Sequence, residues 1–303
     1  MRGRQFTKAF VLLSVISLIY ATATAQKPKP VTKGARPMIF AVLNDGKTLE
    51  PIAYINKGKL EAAVDGSTES NIISAFNKTY YKPGTVYRLI FGGATAGTVT
   101  VKTSDPKGEC TAHMAQATTN ALKTPLKGNV MGLATNSQNA STAASYRRKP
   151  TIAEKVEIDA LARAEFAKQK LAPAILRSQN LTALDLDNDG KAEFVGSYWV
   201  EVDKLTRALL FLIAGKGSNG KYSIGYQDYR TIDQANVMSG DIKNVDEGVY
   251  HELLLDVFDY DGDGVSNVFT YIQSFEGAGF NAYSRSGSKW VKSFEGSNYH
   301  CGY

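Results

Sequence analysis

The sequence predicts a mainly β protein with some helix, an α+β fold with a β-rich N-terminal module and a C-terminal antiparallel meander. Tyr, Thr, Val, Gly and Ser are abundant beyond residue 25, and this composition favours strands over helices. Most apolar segments are short and end at turn-forming residues, as in antiparallel sheets. Two longer segments show helical spacing instead. The length of 303 residues suits two domains of ordinary size.

Residues 1–25 have the features of a signal peptide. An apolar run over 9–21 is followed by the small-x-small sequence of 23–25, a typical cleavage site. The basic residues that precede the run are Arg2, Arg4 and Lys8. The run is short for a membrane span and no second long apolar segment follows it. We therefore expect an exported mature chain (periplasmic, at the cell surface or secreted) without a membrane span; the alternative is an uncleaved N-terminal anchor.

The charge of the chain argues against a nucleic-acid partner. The net charge of +6 falls to +3 when the three basic residues of the signal peptide are removed. No basic stripe with interleaved aromatic residues follows. Residues 26–36 are rich in Pro and Lys, and we expect them to form an extended linker.

A β-rich N-terminal module is predicted over 37–136. A helix is expected over 67–81, capped by Ser67 or Thr68, and a Gly-Gly turn at 92–93 predicts a hairpin. The apolar stripe of that helix is Ile72, Ile73 and Phe76. The predicted strands cover 38–43, 51–56, 85–91, 95–102, 110–118 and 129–135.

A second helix opens the C-terminal domain of 151–303, after a Ser/Thr/Asn-rich linker over 137–150 that ends in a basic run. Thr151 and Glu154 form a capping-box pattern, and Pro173 is expected to end the helix. Its predicted apolar face is Ile152, Val156, Ala160, Ala164 and Ala167.

The rest of the C-terminal domain is predicted to contain two copies of a strand–loop–strand–strand–strand unit. Placing Asp185 on Asp259, an offset of 74 residues, also aligns the strands that follow. The first copy has strands over 181–185, 193–202, 208–214 and 221–229. The second has strands over 252–258, 267–274, 279–284 and 289–294.

An acidic loop recurs in the two copies and predicts two calcium sites. Each loop has oxygen-bearing side chains at positions 1, 3, 5 and 9 and a glycine at position 6. Carboxylates this close repel one another unless a hard cation lies between them, and calcium takes six to eight oxygen ligands. The first ligand set is Asp185, Asp187, Asp189 and Glu193 with the Lys191 carbonyl. The second is Asp259, Asp261, Asp263 and Asn267 with the Val265 carbonyl. Metal-free Asp/Gly-rich turns are the alternative.

This strand–loop–strand pattern resembles the FG-GAP and VCBS-type repeats, and the resemblance covers residues 179–294. An EF-hand would need flanking helices and a Glu at position 12, where this chain has Gly196 and Thr270. The resemblance implies that the Asp, Glu and Asn side chains of both loops bind calcium between strands of extracellular β-propeller blades. Two blade-like units are present, so part of a propeller is expected.

The two cysteines, Cys110 and Cys301, are expected to form a disulfide if the chain is exported. A zinc site is the alternative, because His113 lies three residues after Cys110 and His300 adjoins Cys301. Two free thiols are a third option.

No sequence motif frames a catalytic nucleophile or a catalytic metal. His251 precedes an apolar strand and is expected at a surface or strand edge. We therefore expect a non-catalytic protein in which calcium is structural, acting in surface adhesion or in recognition of a protein or glycan. The alternative is an extracellular hydrolase with structural calcium.

Overall fold

The computed structural model describes residues 34–121, 125–139, 146–217, 219–238 and 240–301. The predicted signal peptide and residues 26–33 of the predicted linker lie outside these ranges, as do 140–145 of the second linker. Within the described ranges the chain is mainly β with three α-helices. No helix in these described ranges is long and apolar enough to cross a bilayer.

The N-terminal strands close into a six-stranded antiparallel barrel. Its strands run in the order β1-β7-β4-β5-β6-β2, and the pairing of β1 with β2 closes the ring, while β3 extends β2 outside it. The strands are β1 Met38–Leu43, β2 Thr48–Asn56, β3 Lys59–Ala62, β4 Val86–Phe91, β5 Ala94–Thr103, β6 Ala115–Ala121 and β7 Gly132–Thr135. Helix α1, Ser70–Tyr80, packs Phe76 and Tyr80 into the same apolar core as Phe40.

The C-terminal part forms two antiparallel sheets. One has the order β12-β11-β10-β9-β8 and the other β13-β14-β15-β16. The first sheet contains β8 Arg147–Arg148, β9 Arg177–Leu184, β10 Glu193–Asp203, β11 Thr206–Lys216 and β12 Tyr222–Asp233. The second contains β13 Glu252–Phe258, β14 Asn267–Gln273, β15 Gly277–Ser286 and β16 Lys289–Tyr299. Helix α2 is Ile152–Lys168; a 3₁₀ turn at Gln234–Asn236 and α3, Lys243–Asp246, lie between the sheets in the chain.

These parts stack in layers because strand residues alternate between two faces. In β1, Met38, Phe40 and Val42 lie in the barrel core. The alternate residues Ile39, Ala41 and Leu43 pack against the β13–β16 sheet. The other face of that sheet packs against the β8–β12 sheet, in a shared core that includes Leu254 and Val195. Helix α2 covers the outer face of the β8–β12 sheet. Each C-terminal sheet is thus covered on both faces.

Several predicted elements are confirmed and others need correction. Strands β1 and β13 have the predicted bounds, and the hairpin across 92–93 is present. The predicted strand over 110–118 begins only at Ala115, because the disulfide-bonded segment before it forms turns. Helix α1 begins at Ser70 after Glu69, while the Ser67 and Thr68 hydroxyls bond to Asp65 instead of capping it.

The predicted buried face of α2 is wrong. The capping box at Thr151 and Glu154 is present, but Ile152 is 87% and Val156 63% exposed. The helix instead buries Ile158, Ala162 and Phe166 against the sheet. Spacing at i, i+4 and i+8 fits this face equally well, so local periodicity did not distinguish the two.

Candidate functional site

The two acidic loops occupy equivalent positions in the two sheets. Residues 185–192 join β9 to β10, and residues 259–266 join β13 to β14; each loop connects the first two strands of a four-stranded antiparallel meander. The glycine at loop position 6 has a φ of 78° in Gly190 and 88° in Gly264. Glycine adopts this left-handed conformation without a Cβ penalty, which explains its place in both loops.

Three side-chain-to-backbone hydrogen bonds recur in both loops. The position 1 carboxylate accepts from the position 6 amide, at 3.1 Å in Asp185 and 3.0 Å in Asp259. The position 5 carboxylate accepts from the position 7 amide at 2.8 Å in each loop. The position 9 side chain accepts from the position 2 amide, at 2.8 Å in Glu193 and 3.2 Å in Asn267. The two loops therefore share one local geometry.

The first loop gathers the carboxylates of Asp185, Asp187 and Glu193. One ligand oxygen from each lies within 4.8 Å of the others. The Oδ1 atoms of Asp185 and Asp187 are buried and have no hydrogen-bond partner in the described part of the chain. Buried oxygens without partners are destabilising, by about 1–3 kcal/mol each. A cation bound among the three carboxylates would provide the missing partner.

The electrostatics of the first loop agree with this. Burial raises the pKa of Glu193 to about 7, and the negative charges of Asp187, Asp189 and Asp185 act in the same direction, although the Leu186 amide opposes them. A divalent cation would stabilise the ionised form of Glu193. The donor set consists only of oxygen, which suits calcium.

Asp189 does not join this group. Its Oδ2 lies 2.5 Å from the Lys191 ammonium, and hydrogen bonds from Lys191 lower the pKa of Asp189. Arg285 of β15 bonds to Asp187, so side-chain cations are already present beside two of the carboxylates.

The second loop gathers Asp259, Asp261 and Asp263, again within 4.8 Å. Burial raises the pKa of Asp261, helped by the charges of Asp263 and Asp259. Asn267 is held by two hydrogen bonds: its Oδ1 accepts from the Tyr260 amide at 3.2 Å, and its Nδ2 donates to Ser284 Oγ at 3.0 Å. The carbonyls of Lys191 and Val265 stay predicted ligands.

The two loops are direct neighbours. The Ser266 amide donates to the Leu186 carbonyl at 2.7 Å. A cavity of about 140 Å³ beside the first loop is lined by Asp187, Glu193, Arg285 and Trp290, among others. Face-to-face packing of the two sheets therefore places both acidic groups at one end of the sheet pair.

The cysteines form a disulfide, as predicted, with a Cα–Cα distance of 5.4 Å. The zinc alternative with cysteine ligands is wrong, because disulfide-bonded sulfurs are not thiolates. Beside the disulfide lies a second polar group, Glu50, His113 and His300. The sequence named the two histidines as zinc ligands together with the cysteines, but it did not identify Glu50. A glutamate in an otherwise largely apolar strand was the one available signal for Glu50.

His251 is buried rather than at a surface. Its Nε2 lies 2.9 Å from the Val245 carbonyl and its Nδ1 3.4 Å from Ser197 Oγ. Burial lowers the pKa of His251 to about 4. A serine beside a histidine can act as a nucleophile, but both side chains are buried, so a substrate would reach them only if the fold opened.

Comparisons of this chain with protein-family models, with curated proteins and with solved structures found no match.

Proposed function

We propose that this chain is an exported, non-catalytic protein that binds calcium in its two acidic loops, where the ion stabilises the fold. The observation that supports it is the pair of buried Oδ1 atoms in Asp185 and Asp187, which lack partners among the described residues beside a third carboxylate. The second loop has the same hydrogen-bond pattern and its own group of three carboxylates. The donors of both groups are carboxylate oxygens, the ligands that calcium prefers.

The resemblance to the FG-GAP and VCBS-type repeats belongs to this proposal. It assigns calcium to the loop side chains, describes the two meanders as blade-like units and implies an extracellular setting. Surface adhesion, or recognition of a protein or glycan, follows by analogy alone.

Export has a separate test. Protein recovered outside the cytoplasm should have the mass of a chain that begins at Gln26, and recovery of the full chain in the cytoplasm would contradict export.

The calcium proposal is tested by calorimetric titration and by thermal unfolding with calcium and with chelator. We expect a binding signal and a higher Tm with calcium, because an ion that binds only the folded state stabilises it by about 2.7 kcal/mol per site at 100 times Kd. Magnesium should have a smaller effect, since it retains its waters.

Variants at loop position 3 make the test specific. Asp187 and Asp261 belong to the acidic groups but accept none of the three recurring hydrogen bonds. The double variant Asp187→Ala/Asp261→Ala should therefore lose the calcium response and still fold. Asp228→Ala on β12, outside both loops, should keep it. The absence of both a binding signal and a Tm shift in the wild type would overturn the proposal.

A further inference from the structure

A group of Glu50, His113 and His300 lies apart from the acidic loops, where the barrel meets the end of the chain. Glu50 is in β2, His113 is in the turn that precedes β6, and His300 follows β16. One potential ligand atom from each lies within 4.8 Å of the other two. The neighbouring Cys110–Cys301 disulfide fixes both histidine segments relative to each other.

The hydrogen bonding of this group is incomplete. Glu50 and His113 are 0% exposed, but Glu50 Oε2 and both ring nitrogens of His113 have no partner within the described ranges. His113 Nε2 is 3.7 Å from Glu50 Oε1, too far for a hydrogen bond. A buried imidazole normally bonds through at least one nitrogen, so these atoms require an explanation.

The remaining contacts orient the group. Glu50 Oε1 accepts from Asn298 Nδ2 at 2.8 Å and lies 2.6 Å from His300 Nε2. The two imidazole rings are stacked, with their centroids 5.7 Å apart. Asn298 is thus placed to hold the carboxylate from outside the group, as outer partners of metal ligands do.

Two imidazole nitrogens and one carboxylate oxygen form a donor set that suits a borderline transition ion and not calcium, which prefers oxygen alone. Ligands around a tetrahedral zinc lie roughly 3.3 Å from one another, given Zn–N distances of about 2.0–2.1 Å. In the observed group Glu50 Oε1 lies 2.6 Å from His300 Nε2 and 3.7 Å from His113 Nε2, so zinc binding would widen the first contact and shorten the second. The His300 side chain is 24% exposed, so solvent reaches the group from the side of His300.

We propose that Glu50, His113 and His300 bind one zinc ion, with water as the fourth ligand. Zinc replaces the contact between His300 and Glu50 and occupies a nitrogen of His113, while Asn298 continues to donate to the carboxylate. The ion links a barrel strand to the end of the chain, beside the disulfide. This site is independent of the calcium loops, and neither proposal requires the other.

The test is a titration of the full chain with Zn²⁺ in the presence of excess Ca²⁺, which occupies any calcium sites. We expect one zinc per chain. His113→Gln should weaken zinc binding by more than the roughly 10–100-fold that loss of an outer partner costs, and Glu50→Gln should act likewise. His251→Gln is the matched control and should leave zinc affinity unchanged, as should Asp187→Ala/Asp261→Ala.

A measurement on the wild type covers the case in which a variant fails to fold. The chain has three histidines, so NMR of the imidazoles during zinc addition has an internal control. The resonances of His113 and His300 should shift and those of His251 should not. Absence of zinc binding, equal shifts of all three histidines, or zinc affinity unchanged in a folded His113→Gln variant would each overturn the proposal.

Discussion

Asp256 shows how one buried residue connects three parts of the chain. Its carboxylate accepts from the Gly92 amide in the barrel hairpin, at 2.8 Å, and from the Val257 amide of its own strand, at 2.7 Å. Arg147 Nη1 lies 3.2 Å from it, and both side chains are almost entirely buried. The basic run at the end of the predicted linker therefore contains a charge that is paired inside the fold, although its composition is typical of solvated loops.

His251 should make the stability of the fold depend on pH. Its pKa is lowered to about 4 by burial, against about 6.5 in an unfolded chain. Between these values the unfolded state binds more protons, so the free energy of unfolding falls as the pH is lowered from 6.5 to 4. The full contribution is about 3 kcal/mol. Denaturant unfolding of the wild type at pH 7, 5.5 and 4.5 measures it.

The control for this prediction is His251→Gln. Glutamine can donate to the Val245 carbonyl but does not titrate, so its stability should change less over the same pH interval. Parallel pH dependences for wild type and variant would show that other groups are responsible.

Among the strands, helices and loops, the sequence predicted best those that are determined locally. The apolar run of β1 and the turn residues around the barrel hairpin are local signals, and these elements lie where expected. The acidic loops could also be recognised from local sequence, because the residues at positions 1, 3, 5 and 9 of each loop lie within one short segment. The face of α2 was not, since helical spacing allows two stripes and the choice depends on a sheet formed later in the chain.

The corrected face of α2 gives a paired prediction. Ile158 is 0% exposed and packs with Phe166 against the sheet, whereas Val156 is 63% exposed. Ile158→Ala should lower the free energy of unfolding by about 2–5 kcal/mol through the cavity it leaves. Val156→Ala should change it by less than about 0.5 kcal/mol. Urea denaturation of both variants measures the difference, and similar losses would contradict the observed docking of the helix.

The pairing of strands that are distant in the chain is what the sequence could not predict. Closure of the barrel depends on β1 pairing with both β2 and β7, and no local pattern specifies the second partner. The group of Glu50, His113 and His300 is of the same kind, because its members come from three separate segments. The disulfide was predictable only because the chain has two cysteines.

Removal of that disulfide should loosen the attachment of the C-terminal strand to the barrel. The bond joins residues 191 apart in the sequence, and so restricts the unfolded chain strongly. Cys110→Ala/Cys301→Ala should lower the free energy of unfolding by about 2–4 kcal/mol. Reductant should destabilise the wild type similarly and leave the variant unchanged. The first acidic loop buries Leu186 at the other interface of the β13–β16 sheet, so we expect the folded variant to keep the calcium response of that loop while its zinc affinity falls. Unchanged stability would contradict the expectation that the disulfide attaches the C-terminal strand to the barrel. A folded variant that loses its calcium response but keeps its zinc affinity would contradict it as well.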